Sequence, residues 1–177
     1  MTTFKVFMHL LWTLKNEDEQ RIGWDEPLPK TVGETWQGYH QQLPTLNQLR
    51  INRCVIIPEA LRIDLHCFSD ASEKAYGGCI YIRSEDSDRN VQVRLFASRS
   101  RVAPLNRQSI PRLELCGALL TAELYEKVIQ SIRLPVNVHF WTDSTCVLRW
   151  IAASPNTWST FIGNRCAKIQ RLTENYQ

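Results

Sequence analysis

A chain of 177 residues can form one domain, or a small domain with an appendage. Its hydrophobic fraction of 44% and charged fraction of 22% are ordinary for a soluble globular chain, and its net charge of +3 gives only weak support for a nucleic-acid partner. The six cysteines include no C-x-x-C pair, which excludes that metal or redox pattern. Four of them lie in apolar runs, where a reduced thiol packs as a small hydrophobic group, and this favours an intracellular setting, cytoplasmic or nuclear.

The first zone of the chain, residues 1–62, is rich in Trp, Pro, Gln and Asn and shows no catalytic constellation. The apolar run at 6–14 is too short for a membrane span and lacks a cleavage site, so it predicts an amphipathic or buried helix. Apolar residues at threes and fours over 32–46 predict a second amphipathic helix, disturbed at Pro44.

The second zone begins at Ile63 and predicts a mixed sheet. Alternating apolar residues predict a first strand that ends at Asp70, and two further strands follow at 75–82 and 91–98. The polar run 83–90 predicts a hairpin loop between those two strands. Short connections of this kind predict an antiparallel arrangement of all three strands.

A long helix at 109–132 separates these strands from a fourth, at 136–142, and two more helices follow at 143–153 and 158–172. A helical crossover of this length makes the fourth strand a candidate to lie parallel to an earlier one. The predicted fold class is therefore α/β, with three antiparallel strands, one parallel strand and flanking helices.

Three acids meet if the fourth strand lies beside the first. Asp70 ends the first strand, Asp143 ends the fourth, and Glu114 lies in the first turn of the crossover helix. Converging carboxylates without a lysine indicate a site for hard divalent cations such as Mg²⁺ or Mn²⁺, and two such ions can clamp a phosphodiester. Gly77 and Gly78 predict a bulge, or a place where another backbone comes close.

Each acid also has a purely structural interpretation. Asp143 is suited to capping a helix, Glu114 to favouring a helix dipole, and Asp70 to forming a turn. The metal site is favoured only by the three acids together.

A local basic stretch supports contact with nucleic acid. Residues 94–112 contain five arginines and no acid. Arginines of this kind contact phosphates without reading base sequence, although a solvated surface is the simpler alternative. The candidate nucleic-acid-binding residues are Arg99, Arg101, Arg112, Asn164 and Arg165.

The motifs FSDASEKAYGGCIYI, IPRLELCGALL and FWTDSTCVLRWI, with acids separated by 44 and 29 residues, resemble the ribonuclease H region of BEL/Pao-type retrotransposon polyproteins. The resemblance implies an RNase H-like fold and an endonuclease that cleaves the RNA strand of an RNA–DNA hybrid. It also implies Asp70, Glu114 and Asp143 as catalytic metal ligands, and the reverse transcriptase and integrase of a polyprotein as partners. The same family is also known as the Pao retrotransposon peptidase family.

The resemblance also suggests a domain organisation. Residues 1–62 resemble the connection that follows a reverse transcriptase, and residues 63–177 resemble a ribonuclease H domain lacking its last strand and the helix that carries a fourth acid. We therefore expect an incomplete second-ion site and impaired catalysis. The alternatives are a non-catalytic nucleic-acid-binding remnant and an aspartic peptidase, although the glycine that the peptidase loop needs is missing after both aspartates.

Overall fold

The computed structural model describes residues 2–16 and 20–174. The chain divides into two compact units, Met1–Arg53 and Cys54–Gln177. The assignment of residues 1–62 and 63–177 to two domains stays a prediction. Within the described part of the chain, no helix has both the length and the apolar character that a membrane crossing requires.

The first unit contains two helices, α1 (Thr2–Leu11) and α2 (Lys30–Gln42), and a 3-10 helix (Leu43–Gln48). The buried Phe7 of α1 packs on the rings of Trp36 and Tyr39, with ring centroids 6.4 and 5.4 Å apart. Helix α2 ends two residues before Pro44, in agreement with the predicted disturbance of the helix at this proline.

The second unit contains a four-stranded sheet and three α-helices among its described residues. These elements are β1 (Arg62–Ala71), β2 (Ala75–Glu85), β3 (Val91–Val102), α3 (Ile110–Ile129), β4 (Asn137–Trp141), α4 (Thr145–Ala152) and α5 (Thr160–Thr173). The strand order is β3-β2-β1-β4, in which β1–β2 and β2–β3 are antiparallel and β1–β4 is parallel. The mixed sheet predicted from the sequence is confirmed.

The loop predicted at 83–90 is shorter in the structure, because β2 continues to Glu85. Ser84 is completely buried, and its hydroxyl accepts a hydrogen bond from the Ile57 N–H (3.2 Å). A polar residue therefore extends the strand by bonding to the segment that precedes the sheet.

Helix α3 covers one face of the sheet. Its Tyr125 and Val128 pack against a core formed by Ile63, Leu65, Cys67, Ile80 and Ile82. On its other side α3 contributes Leu115 and Ala122 to a second core with Val147, Cys166 and Ile169 of α4 and α5. Because it is buried on two sides, α3 is fixed firmly relative to the ends of the strands.

Two glycines allow α3 to approach the sheet closely. A Cβ added to Gly78 would lie 1.8 Å from Thr121 Oγ1, and one added to Gly117 would lie 3.1 Å from the Asp70 carbonyl oxygen. Of the two alternatives predicted for Gly77 and Gly78, the bulge is not found, since the register shift lies between Ile80 and Tyr81, and the close approach of another backbone is found, since a Cβ on Gly117 would lie 3.4 Å from the Gly77 carbonyl oxygen. The group that comes close to Gly78 is the helix.

The opposite face of the sheet carries a buried acid that the alternating pattern does not reveal. Asp64 is only 1% exposed, because Arg62 (2.9 Å), Arg83 (3.2 Å) and Asn137 (2.9 Å) surround its carboxylate. Burial pushes the pKa of Asp64 up, but the hydrogen bonds from Asn137 and Arg62 hold that pKa below its ordinary value of 3.8.

Candidate metal and nucleic-acid site

The parallel pairing of β1 and β4 brings two aspartates to the same edge of the sheet. The last residues paired between the strands are Phe68 and Trp141. Asp70 and Asp143 each follow two residues later, so both lie at the same edge of the sheet. Both side chains are exposed.

Other residues fill the structural roles, turn former and helix cap, that were considered for Asp70 and Asp143. Asp70 is still paired with Gly77 within the sheet, and Ser72 makes the turn by bonding to Ala75. Asp143 precedes the N-cap of α4, which is Ser144, whose hydroxyl accepts the Val147 N–H. The prediction that α4 opens at Asp143 was therefore wrong by two residues, since the helix begins at Thr145.

Glu114 reaches the same point from α3. The helix begins at Ile110, so Glu114 is its fifth residue. The prediction that Glu114 lies in the first turn was therefore wrong. A dipole role is correspondingly weaker, because that effect fades beyond the first turn. Glu114 lies one turn before Gly117, the residue that brings α3 against the end of β1, and it is 7% exposed.

The three acids form a compact cluster. One carboxylate oxygen from each of Asp70, Glu114 and Asp143 lies within 4.8 Å of the others. Within residues 2–16 and 20–174, no lysine, arginine or histidine forms an ion pair with them. The Ala71 N–H donates to Asp70 Oδ1 (2.8 Å) and holds that carboxylate in place.

The electrostatics of the cluster centre on Glu114. Burial raises the pKa of Glu114 above its ordinary value of 4.5, and the charges of Asp70 and Asp143 raise it further, while the Ala71 N–H opposes them. Its Oε2 is buried and has no hydrogen-bond partner among the described residues. A glutamate with a buried oxygen that lacks a partner, clustered with two exposed carboxylates, fits a bound cation, and an all-oxygen donor set suits Mg²⁺ or Mn²⁺ better than zinc.

The candidate nucleic-acid residues fall into two groups. Arg99 and Arg101 lie on β3, two residues apart and therefore on the same face, opposite Gly78 and Tyr76 of β2. Arg101 is exposed and Arg99 is half-buried. None of the ion pairs in the described part of the chain involves them.

The second group is joined by an aromatic ring. The guanidinium carbons of Arg112 on α3 and Arg165 on α5 lie 5.0 and 3.5 Å from the centroid of Phe161. Arg165 also donates to the Phe161 carbonyl (2.9 Å), and its Nε is buried without a partner in the described structure. The exposed Asn164 is its neighbour in sequence.

Phe161 was not predicted as a member of this group, because its position fits the apolar face of α5. The signal that was available is its spacing of four residues from Arg165, which places both side chains on the same face of the helix. Its approach to Arg112 depends on the packing of α3 against α5 and has no local signal.

A family model described as the Pao retrotransposon-like RNaseH-like domain matches residues 1–144. No curated protein matches the chain. The solved structures that are similar to it include RNase H1 from Halobacterium salinarum, at 10% identity over 66% of this chain and 80% of that one, with a TM-score of 0.36. LC11-RNase H1 in complex with RNA/DNA hybrid gives 12% identity over 65% and 78%, with a TM-score of 0.40.

The foamy viral protease-reverse transcriptase in complex with RNA/DNA hybrid is 11% identical over 86% of this chain and 24% of that one, with a TM-score of 0.38. Because all these TM-scores are low, the family assignment rests on the family model. The chain has the mixed sheet and flanking helices of an RNase H-like fold, and it belongs to the family of Pao retrotransposon-like RNaseH-like domains.

Proposed function

We propose that Asp70, Glu114 and Asp143 bind Mg²⁺ or Mn²⁺ and that the domain hydrolyses the RNA strand of an RNA–DNA hybrid. The observation that carries this proposal is the buried, unpartnered Oε2 of Glu114 beside two exposed carboxylates. A cation at this point would satisfy that oxygen and offset the repulsion among the three charges.

The chain's own residues would do the positioning. Glu114 is fixed by a helix that is buried on two sides, and Asp70 is held by the Ala71 N–H. Asp143 lies between the end of β4 and the capped start of α4. A divalent ion held by these three acids would supply charge stabilisation to the oxygens of a phosphodiester, and the site for a second ion is expected to be incomplete.

The two arginine groups would hold the hybrid by its phosphates. Arg99 and Arg101 form one line of positive charge, and Arg112 and Arg165 form a second, to which Asn164 adds a polar side chain. Contacts of this kind position a duplex and contribute most of its salt-dependent affinity. The retrotransposon family suggests the reverse transcriptase and integrase of a polyprotein as partners, and an intracellular site of action, cytoplasmic or nuclear.

The metal site is tested by calorimetric titration with Mn²⁺. Asp70→Asn should weaken binding at least tenfold, because it removes a charged ligand. Asp88→Asn, which changes an exposed acid in the loop between β2 and β3, is the matched control and should bind like the wild type. Equal affinity of all three proteins would overturn the proposed site.

The reaction is tested with hybrids labelled on either strand. Cleavage of the RNA strand alone, dependent on Mg²⁺ or Mn²⁺ and lost in Asp70→Asn, is the expected result. Binding of the hybrid without cleavage by the wild type would support the non-catalytic remnant instead.

The nucleic-acid surface is tested by the salt dependence of hybrid affinity. Replacing Arg99 and Arg101 together with alanine should flatten the plot of log affinity against log salt by up to about two, roughly 0.9 for each phosphate that the protein no longer neutralises. Arg133→Ala is the control, since this exposed arginine follows the other end of α3. A slope unchanged by the double substitution would assign both arginines to ordinary surface.

A further inference from the structure

The separation of Asp70 and Asp143 depends on how the end of β4 is held against β1. Backbone pairing between the two strands stops at Phe68 and Trp141. Beyond that pair β1 continues past Asp70 in its pairing with β2, but β4 ends at Trp141, two residues before Asp143. β4 is also only five residues long and lies at the edge of the described sheet. The end of such a strand frays easily unless side chains fix it.

Trp141 is fixed to β1 at two points. The Ser69 hydroxyl donates to the Trp141 carbonyl oxygen (3.4 Å), which holds the backbone. The Trp141 Nε1–H donates to His66 Nδ1 (3.2 Å), which holds the ring. Both partners lie on the strand that carries Asp70.

Stacking adds to these bonds. The indole lies nearly parallel to the rings of Phe68 and His66, at 16° and 25°, with both centroids 6.2 Å away. Trp141 nevertheless remains 50% exposed, so burial in a core does not account for its place in the structure. Its ring reaches back along β1 to His66, and its carbonyl is held by Ser69, the residue that precedes Asp70.

We propose that Trp141 is a positioning residue, bound to β1 through His66 and Ser69, that keeps Asp143 at the distance from Asp70 that a divalent ion requires. This inference rests on the proposed metal site. The half-exposed indole would fix the end of β4, because Asp143 lies two residues beyond the last backbone pair of this edge strand.

The test is Mn²⁺ affinity, measured by calorimetry on the full chain. Trp141→Phe keeps the stacked ring but removes the N–H donor, and it should weaken Mn²⁺ binding by about three- to tenfold, the range expected for one neutral hydrogen bond. His66→Ala should have the same effect. His66→Asn should restore wild-type affinity, because the asparagine oxygen can replace Nδ1 as the acceptor.

The matched control is Trp158→Phe. Trp158 also donates a single Nε1–H bond, to the Trp150 carbonyl (3.2 Å), but it lies away from β4, so this variant should bind Mn²⁺ like the wild type. The double variant Trp141→Phe/His66→Ala should be no weaker than either single variant, since both remove the same bond.

The outcomes separate the two proposals. A wild-type chain that does not bind Mn²⁺ overturns the metal site and this inference with it. A wild-type chain that binds, together with Trp141→Phe and His66→Ala variants of equal affinity, overturns the inference alone. If circular dichroism shows that Trp141→Phe is unfolded, the comparison of His66→Ala with His66→Asn tests the inference. Equal Mn²⁺ affinities of these two variants would refute the role of the bond between Trp141 and His66.

Discussion

Replacing Glu114 with glutamine should stabilise the metal-free domain and abolish its response to divalent ions. At 4.8 Å, the upper limit of the separations within the cluster, and an effective dielectric constant of about 20, two unit charges repel each other by about 3.5 kcal/mol. Because Asp70 and Asp143 are exposed, solvent screens part of this repulsion. We expect Glu114→Gln to raise the free energy of unfolding by about 1–3 kcal/mol in EDTA at pH 7.

The pH dependence has a definite sign. The pKa of Glu114 is raised in the folded state, so the folded state is less stable at pH values at which Glu114 is ionised. The metal-free wild type should therefore lose stability as the pH rises above 4.5 and through the folded-state pKa, and Glu114→Gln should lack this loss. Both proteins should be similar in stability at pH values well below 4.5, where the glutamate is neutral.

The assay is urea unfolding followed by circular dichroism, in EDTA and in saturating Mn²⁺. Mn²⁺ at about 100 times its dissociation constant should stabilise the wild type by about 2.7 kcal/mol and leave Glu114→Gln nearly unchanged, which cancels or reverses the difference between them. Glu126→Gln, an exposed change on the same helix, is the control and should behave like the wild type. A Glu114→Gln variant that is less stable in EDTA, and equally stabilised by Mn²⁺, would refute the reasoning.

Three other substitutions probe the scaffold by the same unfolding assay. Asp64→Ala should cost about 1–3 kcal/mol near pH 7, since it removes the buried carboxylate that accepts hydrogen bonds from Arg62, Arg83 and Asn137. Because the native pKa of Asp64 is held below 3.8, the wild type should lose this advantage as the pH falls below that value, and a pH-independent difference would contradict the pKa argument. Gly78→Ala should cost about 2–3 kcal/mol through its collision with Thr121, and a neutral effect would show that α3 can move away. Gly38→Ala, in an open part of α2 with no atom within 4 Å of the added Cβ, should instead stabilise its unit by about 0.5–1 kcal/mol, and destabilisation there would contradict the helix assignment.

The sheet and the acidic cluster were predictable from the sequence because both depend on chain order. Alternation located the strands, and the long helix between β3 and β4 made a parallel pair the natural arrangement. Once β4 was placed beside β1, residues that end each strand had to meet. The convergence of Asp70 with Asp143 follows from this topology and needs no knowledge of side-chain conformation.

Contacts that depend on register and side-chain rotamers could not be predicted in this way. The burial of Asp64 requires arginines from two strands and an asparagine from a third to converge. The bond between Trp141 and His66 joins residues on neighbouring strands that are 75 positions apart in sequence. Helix boundaries were also missed by a few residues, since Ser144 and not Asp143 supplies the cap of α4.

The parallel pairing of β1 with β4 also has a consequence for the order in which the domain matures. These strands are paired across 73 positions of sequence, so the three acids come together only after the crossover helix has folded and closed that loop. A ribosome-bound chain that ends before Asp143 holds two of the three acids and has no complete site. Ion binding by the three acids would therefore report that β1 and β4 have paired, and a chain in which they have not yet paired could not bind the ion at this site.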